Sequence, residues 1–183
     1  MDGIDALPAG IAIVTTVGVF DGVHRGHAAV VDALVACARA EGAVPVAITF
    51  DPHPRAVLTG RPPDLLCSVA ERVRLLAALG VALVVVEPFT DALRALSADA
   101  FIDRVAAGRT LRGLVMSPES AFGHDRAGTR DAMAARAARE GWRLVDAPLV
   151  EEAGERISSE RIRRLLDAGD LAAAARLLGR SVA

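Results

Sequence analysis

The sequence predicts an α/β protein built on a doubly wound parallel sheet, and three observations predict it. Short, mainly apolar runs alternate with longer stretches whose apolar residues recur at helical spacing. The short runs lack polar alternate positions, as expected of strands covered by helices on both faces. The histidines and the long glycine-containing loop all fall just after strand-like runs. That is where sheets of this kind bind ligands.

Each element follows from its local pattern. "IAIVTTVGV" (11–19) is β-branched and reads as the first strand. "HAAVVDALVACARAEG" (27–42) is a helix that Gly42 stops. "VPVAITF" (44–50) is the second strand. "SVAERVRLLAALG" (68–80) opens with a capping box, Ser68 to Glu71, and closes on Gly80. "VALVVVEPF" (81–89) is the third strand, and "SADAFIDRVAAG" (97–108) is a helix capped by Ser97. "LRGLVM" (111–116) is the fourth strand and "TRDAMAARAAREG" (129–141) the next helix. "WRLVDAPLV" (142–150) is the fifth strand, followed by a short hairpin through 152–156. Two helices, "SERIRRLLDAG" and "DLAAAARLLG", finish the chain. Strand and helix alternate throughout, so the winding is Rossmann-like. We expect one domain over 1–183, with an α/β core over 11–150 and a helical segment over 151–183.

Composition narrows the function classes. The chain has 183 residues, 52% hydrophobic and 24% charged, with net charge −2. No global basic field attracts nucleic acid. All 21 basic residues are arginine, so any phosphate clamp must use Arg, His, hydroxyls or backbone N–H, and a Walker-type lysine is excluded. Cys37 and Cys67 form no Cys-x-x-Cys pair, which argues against structural zinc. The start, "MDGIDALPAG", has acids where an export signal needs bases. The longest apolar run, "VALVVV" (81–86), is too short to span a bilayer. A cytoplasmic location, with no membrane partner, is the expectation.

Chemistry concentrates at the strand ends. His24-Arg25-Gly26-His27 follows the first strand. Gly26 lets the backbone approach a ligand closely, and the helix that follows offers free N–H groups to an anion. The two imidazoles could donate to one phosphate, or one could simply cap the helix. A metal site is disfavoured because no third ligand follows at a fixed spacing. "DPHP" (51–54) follows the second strand, "SPESAFGHDRAG" (117–128) the fourth, and "ISSERIRR" (157–164) opens the penultimate helix.

Taken together these motifs resemble a known family. "VGVFDGVHRGH" is similar to the adenylyltransferase module of the prokaryotic bifunctional FAD synthetases (riboflavin kinase plus FMN adenylyltransferase), in the nucleotidylyltransferase superfamily. "ITFDPHPRAVL", "LLAALGVALVVVEPF", "LSADAFI", "FGHDRAG" and "ISSERIRRLLDAGDLAAAARLLGR" follow in that family's order. The resemblance runs from about Thr15 to Arg180 and implies transfer of AMP from ATP to FMN, giving FAD and pyrophosphate with Mg²⁺ present. It implies ATP bound by Gly18, Phe20, Asp21, Gly22, His24, Gly26, His27, Ser158, Ser159 and Arg163, with His24, His27 and Arg163 catalytic. It implies flavin bound by Phe50, Pro52, His53, Pro54, Glu119, Phe122, Gly123 and Arg126. It gives the protein no metal ligands of its own.

Departures from the family pattern are specific. Glu160 stands where the family has Thr, and a carboxylate aimed at a triphosphate would repel it. Ser117, Glu119 and Ser120 replace Gly, Asp or Asn, and Phe in the flavin loop. In the family "LLGR" leads into a riboflavin kinase barrel; here Ser181, Val182 and Ala183 follow and the sequence ends. Riboflavin phosphorylation is therefore not expected, and a separate riboflavin kinase is one candidate partner for supplying FMN. Beside FMN adenylyl transfer, two readings stay open: a different phosphorylated acceptor, or a catalytically weak nucleotide- or flavin-binding paralogue.

Overall fold

The computed structural model describes residues 1–182. In chain order its elements are β1 (Ala12–Val17), α1 (Arg25–Ala40), β2 (Val44–Asp51), α2 (Pro54–Thr59), α3 (Val69–Ala78), β3 (Leu83–Pro88), α4 (Asp91–Arg94) and α5 (Ala98–Ala106). There follow β4 (Thr110–Met116), α6 (Arg130–Glu140), β5 (Arg143–Asp146), β6 (Glu151–Glu152), β7 (Glu155–Arg156), α7 (Ser159–Asp167) and α8 (Leu171–Leu178).

The first five strands form one parallel sheet in the order β3-β2-β1-β4-β5. The chain winds outward from β1 to one edge, then returns to the other side of β1 and winds to the opposite edge. The loops after β1 and β4 therefore part at their carboxyl ends and open a crevice, the switch point where such folds bind ligands. Apolar side chains on both faces of the strands drive this arrangement. One face packs with Val31 and Leu34 of α1 and Leu76 of α3. The other packs with Phe101, Ile102 and Val105 of α5 and Met133 and Ala137 of α6. A third cluster joins Ile162 of α7 to Ala174, Leu177 and Leu178 of α8.

The helix starts follow their caps. Ser68 Oγ accepts from Glu71 N at 3.1 Å, and Ser97 Oγ accepts from Ala100 N at 3.1 Å. Each satisfies an N–H that the first helical turn leaves free. Arg136 on α6 is 5% exposed and paired with Asp99 (3.1 Å), Glu140 (2.8 Å) and Asp103, which locks α6 to α5.

The structure departs from the sequence expectation in four places. The fifth strand ends at Asp146, since Pro148 lacks the N–H a continuing strand needs. The "DPHP" segment is not all loop: Pro54 occupies the first turn of α2, capped by His53 and ended by Gly60 in the left-handed region. α4, capped by Thr90, was not anticipated. The first residues also do more than expected. Met1 and Gly3 hydrogen-bond Val86 on the edge strand β3, and Ile4 is fully buried. Among the described residues, no helix is long and apolar enough to cross a membrane.

Candidate active site

The turn after β1 folds around its glycines and histidines. His24 is the N-cap of α1, with its Nδ1 accepting from His27 N at 3.2 Å. In the neutral ring this leaves the proton on Nε2. The two imidazoles stack at 3.6 Å between centroids and 14° between planes. Gly26 permits this packing: a Cβ there would stand 3.1 Å from the His24 ring and 3.3 Å from the Ile157 carbonyl. Burial, with the nearby Arg156 charge, lowers His24 to a pKa of about 4. Burial and the His24 ring hold His27 well below the usual imidazole range. His27 is only partly buried as a residue, but its Nδ1 is sealed from solvent with no hydrogen-bond partner. Both rings are therefore neutral near pH 7 in the unliganded protein.

A second helix start meets the first. Ser158 caps α7, its Oγ accepting from Arg161 N at 3.2 Å, and Ser159 Oγ donates to the Asp21 carbonyl at 2.9 Å. A cavity of about 290 Å³ lies between the two helix N-termini. Of the residues that the resemblance assigns to ATP, Gly18, Phe20, His24, Gly26, His27, Ser158 and Ser159 line it. Free N–H groups and the positive ends of two helix dipoles face this space, a combination suited to phosphate. Arg156 lines it too. Sequence reasoning missed this cation; the signal was its position directly before "ISSE", at the end of the hairpin formed by β6 and β7.

Other expected residues lie elsewhere. Asp21, Gly22 and Arg163 are not part of the cavity wall. Asp21 is 1% exposed and pairs with Arg163, and its Oδ1 accepts from Leu66 N at 3.0 Å. Arg163 also donates to the Asp64 carbonyl at 2.7 Å. This network ties the β1 turn to α7 and to the segment before α3. Glu160 lies 3.4 Å from Arg163, largely exposed and outside the cavity wall.

A second cavity, of about 520 Å³, adjoins the first across a shared wall of Val17, Gly18 and Val19. The chain has five phenylalanines, and four of them line this cavity: Phe50, Phe89, Phe101 and Phe122. The fifth, Phe20, lines the first. Phe50 and Phe89 meet edge to face at 5.4 Å, and Phe101 and Phe122 tilt together at 5.4 Å. Of the residues expected on the flavin, Phe50, Pro54, Phe122, Gly123 and Arg126 are here, while Pro52, His53 and Glu119 are not. His53 instead caps α2, its Nδ1 accepting from Arg55 N at 3.0 Å. Gly123, at φ +75°, packs so closely that a Cβ would lie 2.5 Å from Ala98 N. Glu119 lines neither cavity and pairs with Arg156, which lines the first. Ser117 and Ser120 also line that first cavity, their hydroxyls 2.6 Å apart.

Among the described residues no cluster of three or more His, Cys, Asp or Glu side chains is placed to hold a metal ion.

The chain is similar to several known proteins. A bifunctional riboflavin kinase/FMN adenylyltransferase of Pseudomonas fluorescens is 35% identical over 168 residues, which is 91% of this chain and 54% of that protein. The Escherichia coli K12 counterpart is 32% identical and matches in the same proportions. The chain thus spans about half the length of these relatives. A putative bifunctional riboflavin kinase/FMN adenylyltransferase of Geobacillus thermodenitrificans is 34% identical, with 89% of its length covered. Among solved structures, a protein of Streptococcus pneumoniae described as a macrolide-efflux protein superposes at a TM-score of 0.89 with 25% identity, over all of this chain and 60% of that one. Pantothenate synthetase of Thermus thermophilus superposes at 0.51 with 17% identity, over 98% of this chain and 80% of that one, and shares the fold alone. The FAD synthetase family model matches residues 9–161, and the chain belongs to the FAD synthetase family.

Proposed function

We propose that this chain is an FMN adenylyltransferase, moving AMP from ATP to FMN to give FAD and pyrophosphate. The observation that carries the reading is the pair of adjoining cavities. One is built for phosphates by two helix N-termini, and the other is an apolar chamber of phenylalanines that suits a flat aromatic ring system. They share the Val17–Gly18–Val19 wall, so a nucleotide α-phosphate and a flavin 5′-phosphate would meet above it.

The reaction needs no protein nucleophile. A phosphate oxygen of FMN attacks the α-phosphorus of ATP as the bond to the leaving pyrophosphate breaks. The protein's part is to hold the two in line and offset the charge that develops. The Nε2–H of His24 and the ring of His27 would face the phosphates with the α1 N–H groups. Bound phosphate raises the affinity of both rings for protons, so neutral rings in the free protein can become charged donors in the complex. Ser158, Ser159 and the α7 N-terminus would hold the outer phosphates, with Arg156 as the facing cation. Arg163 acts at one remove, by fixing Asp21 and the start of α7. Mg²⁺ would arrive with the nucleotide, supplying charge neutralisation on the phosphates.

The departures from the family pattern fit this reading. Ser117, Glu119 and Ser120 fall outside the phenylalanine chamber, so they leave its apolar wall intact. Glu119 and Glu160 are each paired with an arginine. The test is to supply FMN and, separately, other phosphorylated acceptors with ATP and Mg²⁺. Selective FAD formation supports the assignment. Pyrophosphate release with another acceptor and none with FMN contradicts it.

A further inference from the structure

Arg72 has no part in the chemistry above, and its surroundings are unusual. It sits on α3 and is 1% exposed. Arginine is almost never buried this deeply without a carboxylate. Among the described residues no carboxylate pairs with it, and the buried Asp21 is taken by Arg163. Its Nε is buried with no partner at all. One terminal nitrogen donates both to Thr49 Oγ1 at 3.0 Å and to the Phe50 carbonyl at 2.9 Å, and the guanidinium also bonds the Cys67 thiol. Burying a lone charge is costly, so something must hold it in place.

The bonds lead to the site. Thr49 Oγ1, which accepts from Arg72, donates in turn to the Val19 carbonyl at 2.8 Å. Val19 belongs to the wall that both cavities share, and Phe50 lines the apolar one. The guanidinium thus grips both cavities from behind. Its charge also reaches forward, disfavouring protonation of His27 and His53. In a low-dielectric interior such a charge acts over longer distances than at a surface.

We infer that Arg72 is a positioning residue for adenylyl transfer, fixing the shared wall through Thr49 and Phe50 and keeping a permanent positive charge behind the reacting phosphates. The inference rests on the reading under Proposed function. It explains why a charge is kept where an apolar side chain would pack more cheaply: the missing counter-anion is the substrate.

Arg72→Gln removes the charge and keeps a donor, whereas Arg72→Lys keeps the charge. Two measurements separate the roles. The first is the titration midpoint of His53 by NMR without substrates; Asp21, Arg163, Arg72 and Arg55 are the charged groups acting on that ring. The second is steady-state kinetics. Arg72→Gln is expected to raise the His53 midpoint and to lower kcat/KM for ATP about tenfold, while Arg72→Lys keeps the wild-type midpoint and restores most of the rate. An unmoved midpoint or unchanged kinetics in a folded Gln variant overturns the inference, as does a Lys variant that loses as much as Gln. Where the Gln variant does not fold, the Lys variant decides: a wild-type midpoint with most of the rate supports the role, and a departure in either overturns it. A wild-type chain that makes no FAD would instead sink the activity assignment, and the midpoint would still report on the charge.

Discussion

Glu160 reads, in the sequence, as a carboxylate set against a triphosphate, and the fold turns it aside. It lies beside Arg163 at 3.4 Å, outside the cavity wall. Glu160→Thr is therefore expected to leave ATP affinity within about twofold of wild type, as an exposed ion pair contributes little; isothermal titration with ATP checks it. Glu119 is the carboxylate that matters more, because it occupies the guanidinium that faces the histidines. Glu119→Gln should free Arg156 and tighten ATP binding by about two- to fivefold, the range an exposed pair allows. Weaker binding in that variant would mean that Glu119 serves the nucleotide rather than competing with it. For the histidine turn, His27→Ala should lower turnover by about 10²–10³ while the melting temperature stays near wild type. Near-normal FAD formation by that variant would remove His27 from the chemistry.

Elements are where the sequence was most legible, and also where local rules lost to tertiary ones. β1 to β4 were readable because a buried parallel strand must be apolar on both faces. The helix starts at Ser68, Ser97 and Ser158 were readable because a cap needs a side-chain oxygen. α2 was hidden because Pro and Gly dominate its surroundings, and its cap is a histidine, outside the usual capping residues. His24 holds both roles that its position allowed: a ring that caps α1 with Nδ1 still has Nε2 free for a ligand. The apolar chamber could have been found by asking where a chain with five phenylalanines and no tyrosine puts them. Arg156 was harder to place: it stands directly before "ISSE", but nothing in the sequence says that a two-residue strand turns it toward the histidines. The loop after β4 offers a test at this scale. Gly123→Ala forces a Cβ against the start of α5 at a positive φ. It should push Phe122 out of place and weaken FMN binding, measured by flavin fluorescence quenching, with ATP binding little changed.

At the scale of the molecule, one topological event makes the site: the sheet reverses its winding between β1 and β4, and both cavities open there. Buried histidines at that point link the site to global stability. His24 titrates at about 4 when folded, against 6.5 when free. Between those values the unfolded chain binds more protons, so stability is complete above about pH 6.5 and is lost as pH falls toward 4. The melting temperature should drop across that window, and His24→Asn should flatten the drop. The carboxylates with lowered values, Asp5, Glu140 and Asp146, act only at lower pH.

The central claim is that the two cavities hold ATP and FMN so that their phosphates react. Incubation of the chain with ATP labelled on its α-phosphate, Mg²⁺ and FMN tests it most directly. The account predicts label in FAD and unlabelled pyrophosphate, in equal amounts. Nucleotide and flavin that both bind while the label stays in ATP would contradict it.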